Sequence, residues 1–125
     1  MRRLLPVVLS LVVSLAAGCG DSGDNSSTPA DATVRMTDYA YDPAQLTVRT
    51  GETIRVVNDG GIAHNLKVEK GPDGRKETQE LAGTDTFLPK DSETLAINLP
   101  PGRYAMVCTV PGHRELGMTG SLRVR

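Results

Sequence analysis

The sequence has 125 residues, of which only two are histidines, two cysteines and four methionines. Three of these scarce side chains share one stretch, CTVPGHRELGM, in which Cys108, His113 and Met118 follow a Cys-x4-His-x4-Met spacing among Pro111, Gly112 and Gly117. The only other histidine is His64. A thiol, two imidazoles and a weak thioether donor match the inventory of a trigonal His2Cys site with a long axial Met, the arrangement that suits copper electron transfer. Taken singly, each residue has a structural reading. His64 reads as a satisfied residue at a strand start, Met118 as core filler like Met36 and Met106, and Cys108 as a small buried hydrophobe. Their conjunction is what points to a metal.

Short runs with frequent apolar and polar alternation must position these side chains. ATVRM, QLTVRT, TIRVVN, HNLKVE, ETLAINL, RYAMVC and GSLRVR read as strands. They are separated by turn formers at Asp42-Pro43, Thr50-Gly51, Asp59-Gly60-Gly61, Pro100-Pro101-Gly102 and Pro111-Gly112. The pattern predicts an all-β sandwich without a substantial helix. Alternation along RYAMVC puts Tyr104, Met106 and Cys108 on the core-facing side. A loop leaving that strand and returning through GSLRVR can bring Cys108, His113 and Met118 to one point. With one Phe, three Tyr and no Trp, the core must be mainly Val, Leu, Ile and Ala, with Tyr104 and Phe87 as its largest members. The charged segment 70–83 reads as a solvated loop, in which GRKETQELAG offers at most a short helical turn.

The order of His64 followed by Cys-x4-His-x4-Met resembles the cupredoxins, small secreted β-sandwiches that carry one type 1 copper. YAYDPAQLTVRTGETIRVVNDGGIAHNLKVE is similar to that family's N-terminal half and LPPGRYAMVCTVPGHRELGM to its C-terminal half. The loop length is more like rusticyanin and sulfocyanin than plastocyanin. The resemblance implies a single-domain Greek-key β-sandwich (cupredoxin-like), with His64, Cys108, His113 and Met118 as copper ligands. It also implies an outer role for Asn65, tying its strand to Thr109 beside Cys108. The implied function is electron transfer between Cu(I) and Cu(II), tuned by Met118 and by hydrogen bonds at the Cys108 sulfur. Val110, Pro111 and Leu116 surround His113, either as a docking patch for a redox partner or as packing beneath the loop.

The N-terminus reads as an export signal. Basic Arg2 and Arg3 precede the apolar run LLPVVLSLVVSLAA, which is too short to suggest a membrane-spanning helix. Ala17-Gly18-Cys19 follows and resembles the bacterial lipobox, whose cysteine is lipidated after cleavage. The expected organisation is therefore a lipoprotein-type signal peptide at 1–18, a flexible linker at 19–30 starting from lipidated Cys19, and a cupredoxin domain at 31–125. GDSGDNSSTPA has no apolar residue larger than alanine, and as a coil it would reach on the order of 20 Å. This places an expected monomer on the extracytoplasmic face of a bacterial membrane, where its partners would be redox proteins such as membrane respiratory oxidoreductases. The formal net charge of −1 and the lack of a basic patch argue against nucleic acid.

Other chemistries fit less well. A Cys108 nucleophile with His113 as base lacks a further acid–base group and would sit at a core-facing strand end. Multicopper oxidases and copper nitrite reductases need additional histidines, and structural zinc sites do not use methionine. These considerations argue against an enzyme. The alternative that remains is a copper storage or delivery module using the same four ligands without redox cycling.

Overall fold

The computed structural model describes residues 29–70 and 79–125. The expected signal peptide, Cys19 and nearly all of the expected linker lie outside the described residues, as does the middle of the 70–83 segment. Among the described residues the regular elements are β1 (Ala32–Thr37), β2 (Ala40–Asp42), β3 (Gln45–Val48), β4 (Thr53–Asn58), β5 (Lys67–Lys70), β6 (Glu80–Gly83), β7 (Ser92–Ala96), β8 (Gly102–Val107) and β9 (Thr119–Val124). No helix among them is long and apolar enough to cross a membrane.

Period-2 alternation explains the two layers. In β1, Val34 and Met36 are buried while their neighbours face out, and Ile54, Val56 and Asn58 do the same in β4. These strands lie in a sheet ordered β2-β1-β4-β7, with β1 parallel to β4. The second sheet is ordered β3-β9-β8-β5-β6, with β3 parallel to β9. Its inward residues Val48, Val68, Tyr104, Met106, Leu122 and Val124 meet those of the first sheet in one core. Each large apolar side chain removed from water contributes about 1.5–3 kcal/mol, which offsets the conformational entropy lost on folding. The all-β sandwich predicted from alternation is the observed fold.

Tyr104 and Phe87 are buried as expected, and Tyr41 joins them. β8 departs from simple alternation, because outward Ala105 and Val107 are also buried. The Arg114–Glu69 ion pair, at 2.7 Å, lies on this outer side, where Glu69 is the register partner of Ala105. Two local expectations need correction. The 70–83 segment is not all loop: Lys70 closes β5, and Glu80–Gly83 forms edge strand β6. Its polar composition concealed Leu81 and Ala82, which pack against the core, while the Lys67–Glu80 pair at 3.1 Å joins the strands. The strand expected to begin at His64 starts only at Lys67, because Thr84 intercepts the backbone of Leu66. The Thr84 hydroxyl accepts from Leu66 N at 3.1 Å, and Thr84 N donates to Leu66 O at 3.0 Å.

The β1–β2 turn, the β4–β5 connection, the β6–β7 connection and the β8–β9 loop all fall at one end of the sandwich. β9 enters the sheet from this end through Gly120, the register partner of Met106. A Cβ there would stand 2.6 Å from Ala44 O and 2.8 Å from the Met106 methyl carbon. Gly120→Ala is therefore expected to destabilise the metal-free protein by about 1–3 kcal/mol, the usual cost of overpacking. Denaturant unfolding measures this directly, and an unchanged midpoint would contradict so close an approach.

Candidate metal centre

The β8–β9 loop is held in shape by its own backbone. His113 N donates to Val110 O at 3.1 Å, Leu116 N to Gly112 O at 3.2 Å and Gly117 N to Arg114 O at 3.0 Å. Gly112 and Gly117 have φ of 85° and 98°, in the left-handed region that glycine enters without a Cβ penalty. Met118 N donates to His113 O at 3.0 Å, and Cys108 N donates to Met118 O at 3.2 Å. These bonds close the loop at its base, so Cys108 and Met118 face each other across the two strands. Both are fully buried.

His64 arrives from the opposite side. An isolated bridge to Phe87 fixes its backbone, with His64 N donating to Phe87 O at 3.3 Å and Phe87 N to His64 O at 3.0 Å. Its ring is fully buried, and its Nδ1 lies 3.1 Å from His113 Nδ1. The Cys108 Sγ is 3.4 Å from that same His113 nitrogen. The three potential ligand atoms all lie within 4.8 Å of one another. The remaining ring nitrogen of His64, Nε2, is 3.1 Å from Asp38 Oδ1, which also accepts from Gly61 N at 2.9 Å. The His64 bond, followed by the Gly61 bond, holds the Asp38 carboxyl below the ordinary carboxylate range. A carboxylate can only accept, so a neutral His64 bonded to it carries its proton on Nε2, which leaves the Nδ1 lone pair facing the cluster.

Such an arrangement fits a metal ion. Two ring nitrogens this close in a buried site need a proton or a metal ion between them. Donors about 2.0–2.3 Å from a central ion stand about 3.5–4 Å apart in a trigonal array. The separations of 3.1 and 3.4 Å are close to that spacing. Soft sulfur combined with imidazole suits copper. By contrast, a cavity of about 340 Å³ bordered by Thr47, Arg103, Tyr104 and Arg123 lies toward the other end of the second sheet, without a histidine or cysteine in its lining.

Asn65 sits directly outside the donors. Its Oδ1 accepts from Thr109 N at 2.9 Å, and its Nδ2 donates to Thr109 Oγ1 at 3.0 Å and Thr86 Oγ1 at 2.9 Å. The buried Tyr41 hydroxyl donates to Asn65 O at 2.8 Å, and burial pushes that phenol well above its ordinary range. One amide therefore ties the His64 connection to the residue after Cys108. Val110 packs against the core, whereas Leu116 is exposed. Two residues of the β1–β2 turn escaped sequence reasoning, Asp38 against His64 and Tyr39, whose ring stands edge-on to His113 at 5.1 Å between centroids. Their only sequence signal is a polar TDY between two apolar stretches, which reads as an ordinary turn.

Fold and donor set together define a β-sandwich with a buried copper-type centre at one end. Residues 29–125 match the copper binding proteins of the plastocyanin/azurin family. The chain belongs to that family, whose cofactor is copper, and its His64, Cys108 and His113 cluster is consistent with one type 1 copper. It is 32% identical to a plastocyanin of Synechococcus sp. (strain JA-2-3B'a(2-13)), covering 99% of this chain and 93% of the relative. It is 29% identical to the copper-resistant cuproprotein CopI of Rubrivivax gelatinosus, over 85% of this chain and 73% of that protein. The reduced auracyanin from Roseiflexus castenholzii superposes with a TM-score of 0.63 at 28% identity, covering 75% of this chain and 95% of that structure.

Asn65→Ala removes the acceptor of Thr109 N and both amide donations. It is expected to lower the unfolding free energy of the metal-free protein by about 1–3 kcal/mol. Denaturation that is indifferent to this change would mean that the amide does not tie the two segments.

Proposed function

We propose that this protein is an electron carrier rather than an enzyme, with one copper held by His64, Cys108, His113 and Met118. The observation that carries this reading is the convergence of two imidazole nitrogens and a thiol, all from buried residues, in a site whose protein frame is already closed. Copper bound there supplies a one-electron couple that both soft sulfur and imidazole donors can accommodate. The chain's own contribution is to hold those donors still, so that little rearrangement accompanies a change of charge. The Asn65 bonds and the loop-base bonds supply that rigidity.

His113 offers the route for electrons. It is 7% exposed, against 0% for His64, so its edge is the ligand edge nearer solvent. The large hydrophobics that remain exposed among the described residues are Tyr39 at 37%, Ile62 at 41%, Leu88 at 65% and Leu116 at 61%. Each comes from a different connection at the metal end. Such a concentration of apolar surface suits brief docking of a redox partner around His113, with a polar rim setting orientation.

The N-terminal reading completes the proposal. Cleavage after residue 18 and lipidation of Cys19 would tether the 31–125 domain, as a monomer, through the 19–30 linker to the outer face of a bacterial membrane. Tethering raises its effective concentration beside membrane respiratory oxidoreductases. Copper delivery is the second reading, favoured by similarity to a copper-resistant cuproprotein. Complete burial of His64, Cys108 and Met118 supports the carrier reading, since ready handover calls for accessible donors.

Three experiments test these statements. Met118→Leu should keep the colour of the oxidised protein and raise its potential by about 59 mV, a tenfold bias of a one-electron couple toward the reduced state. An unmoved voltammogram would remove Met118 from the ligand set. During turnover with a membrane oxidoreductase, the protein should retain its copper, whereas accumulation of metal-free protein with copper in the partner would establish delivery. The intact protein should fractionate with membranes, and Cys19→Ala should block processing and lipid attachment; a soluble wild type with an unmodified N-terminus by mass spectrometry would refute the anchor.

A further inference from the structure

Asp38 is one half of a two-residue turn, Asp38-Tyr39, that joins β1 to β2 across the Thr37–Ala40 pair. Consecutive side chains of this turn face the two histidines, and the Tyr39 ring also stands edge-on to His64 at 6.4 Å between centroids. Asp38 Oδ1 meets His64 Nε2 at 3.1 Å, while the Tyr39 ring stands edge-on to His113. Tyr39 has φ of 66°, a region that a non-glycine residue enters at a cost. Backbone strain of this kind persists where the surroundings over-determine it, which is common at functional sites.

Facing elements are shaped to admit the carboxylate. A Cβ on Gly60 would stand 2.5 Å from Asp38 Oδ1 and 2.8 Å from His64 Nε2. Only a glycine allows the β4–β5 connection to pass this contact. Next to it, Gly61 N donates to Asp38 Oδ1 at 2.9 Å, and Gly60 N donates to Asn58 Oδ1 at 2.9 Å. Asn58 Nδ2 in turn donates to Ile62 O at 2.9 Å and Phe87 O at 3.1 Å, so the loop carrying Gly60 and Gly61 is itself anchored. A turn whose only task was to reverse the chain would require neither the glycine gap nor a carboxylate aimed at a buried ring.

We infer that Asp38 is a positioning residue for the metal centre: it accepts the His64 Nε2–H, presents the bare Nδ1 to Cys108 and His113, and places a negative charge one imidazole away from the metal. This rests on His64 being a ligand. Two effects follow from one contact. The ring is fixed in the tautomer and orientation that a metal requires, since the partner of the distal nitrogen decides which nitrogen is bare. The anion also raises ligand basicity and favours the more highly charged oxidation state, so it lowers the reduction potential. Asp38 is half exposed, and solvent screening keeps the electrostatic part moderate.

The test separates the two effects. Asp38→Asn keeps an oxygen acceptor and removes the charge, so the His64 tautomer should survive while the reduction equilibrium of the copper-loaded protein shifts about tenfold toward the reduced state, about 59 mV upward. Asp38→Ala removes both, and nitrogen-15 NMR of the metal-free protein in alkaline buffer should show that the wild-type preference for protonated His64 Nε2 is lost. Gly60→Ala keeps the carboxylate but wedges it away from the ring, and should repeat the tautomer loss without altering charge. Wild-type His64 protonated on Nδ1, an unmoved potential in Asp38→Asn, or an unaltered tautomer in both Asp38→Ala and Gly60→Ala would each overturn the inference. The metal-free NMR decides the positioning role even if the wild-type protein fails to develop a thiolate-to-copper band, a result that would instead refute the ligand assignment.

Discussion

Two imidazole nitrogens and a thiol sulfur converge inside the sandwich end, and this constraint organises the metal end of the molecule. His64 Nδ1 and His113 Nδ1 are 3.1 Å apart, with Cys108 Sγ 3.4 Å from the latter. Bringing such groups together is unfavourable unless a proton or a metal ion lies among them. The surrounding structure holds the donors against that cost. The β8–β9 loop is cross-linked at its base, the Phe87 bridge fixes His64, and Asn65 joins the two sides. Folding stability and site geometry are thus coupled: the hydrogen bonds that close the sandwich at this end are those that aim the donors.

The division of labour follows from topology. Parallel pairing of β1 with β4 brings the β1–β2 turn and the β4–β5 connection to the same end. The antiparallel β8–β9 pair adds its loop to that end, so one pole receives residues from distant parts of the sequence. That pole presents buried polar donors within and apolar side chains at its rim, a combination suited to electron exchange through a shielded edge rather than to enclosing a substrate.

Much of the donor set was legible in the sequence because scarcity made it visible. With only two histidines and one cysteine outside the N-terminal segment, the Cys-x4-His-x4-Met spacing stood out, and alternation along RYAMVC placed Cys108 at the core. Asn65 was found through family resemblance. Asp38 and Tyr39 were not legible, since their proximity to the histidines depends on a tight turn folding over from another strand, and aspartate in a turn is ordinary. β6 was hidden for a different reason. A four-residue edge strand with a half-buried Leu81 carries too little periodicity to outweigh the charged residues before it. His64 misled only about local structure, because Thr84 rather than a sheet partner takes the backbone of Leu66.

The visible absorption spectrum of the purified protein loaded with copper(II) tests the central claim most directly. A converged His2Cys donor set gives an intense thiolate-to-copper band that disappears on reduction, and Cys108→Ser abolishes it because a hydroxyl is neither as soft nor as readily ionised as a thiol. Stoichiometric copper(II) in a colourless wild-type protein, or a band that survives Cys108→Ser, would contradict the account.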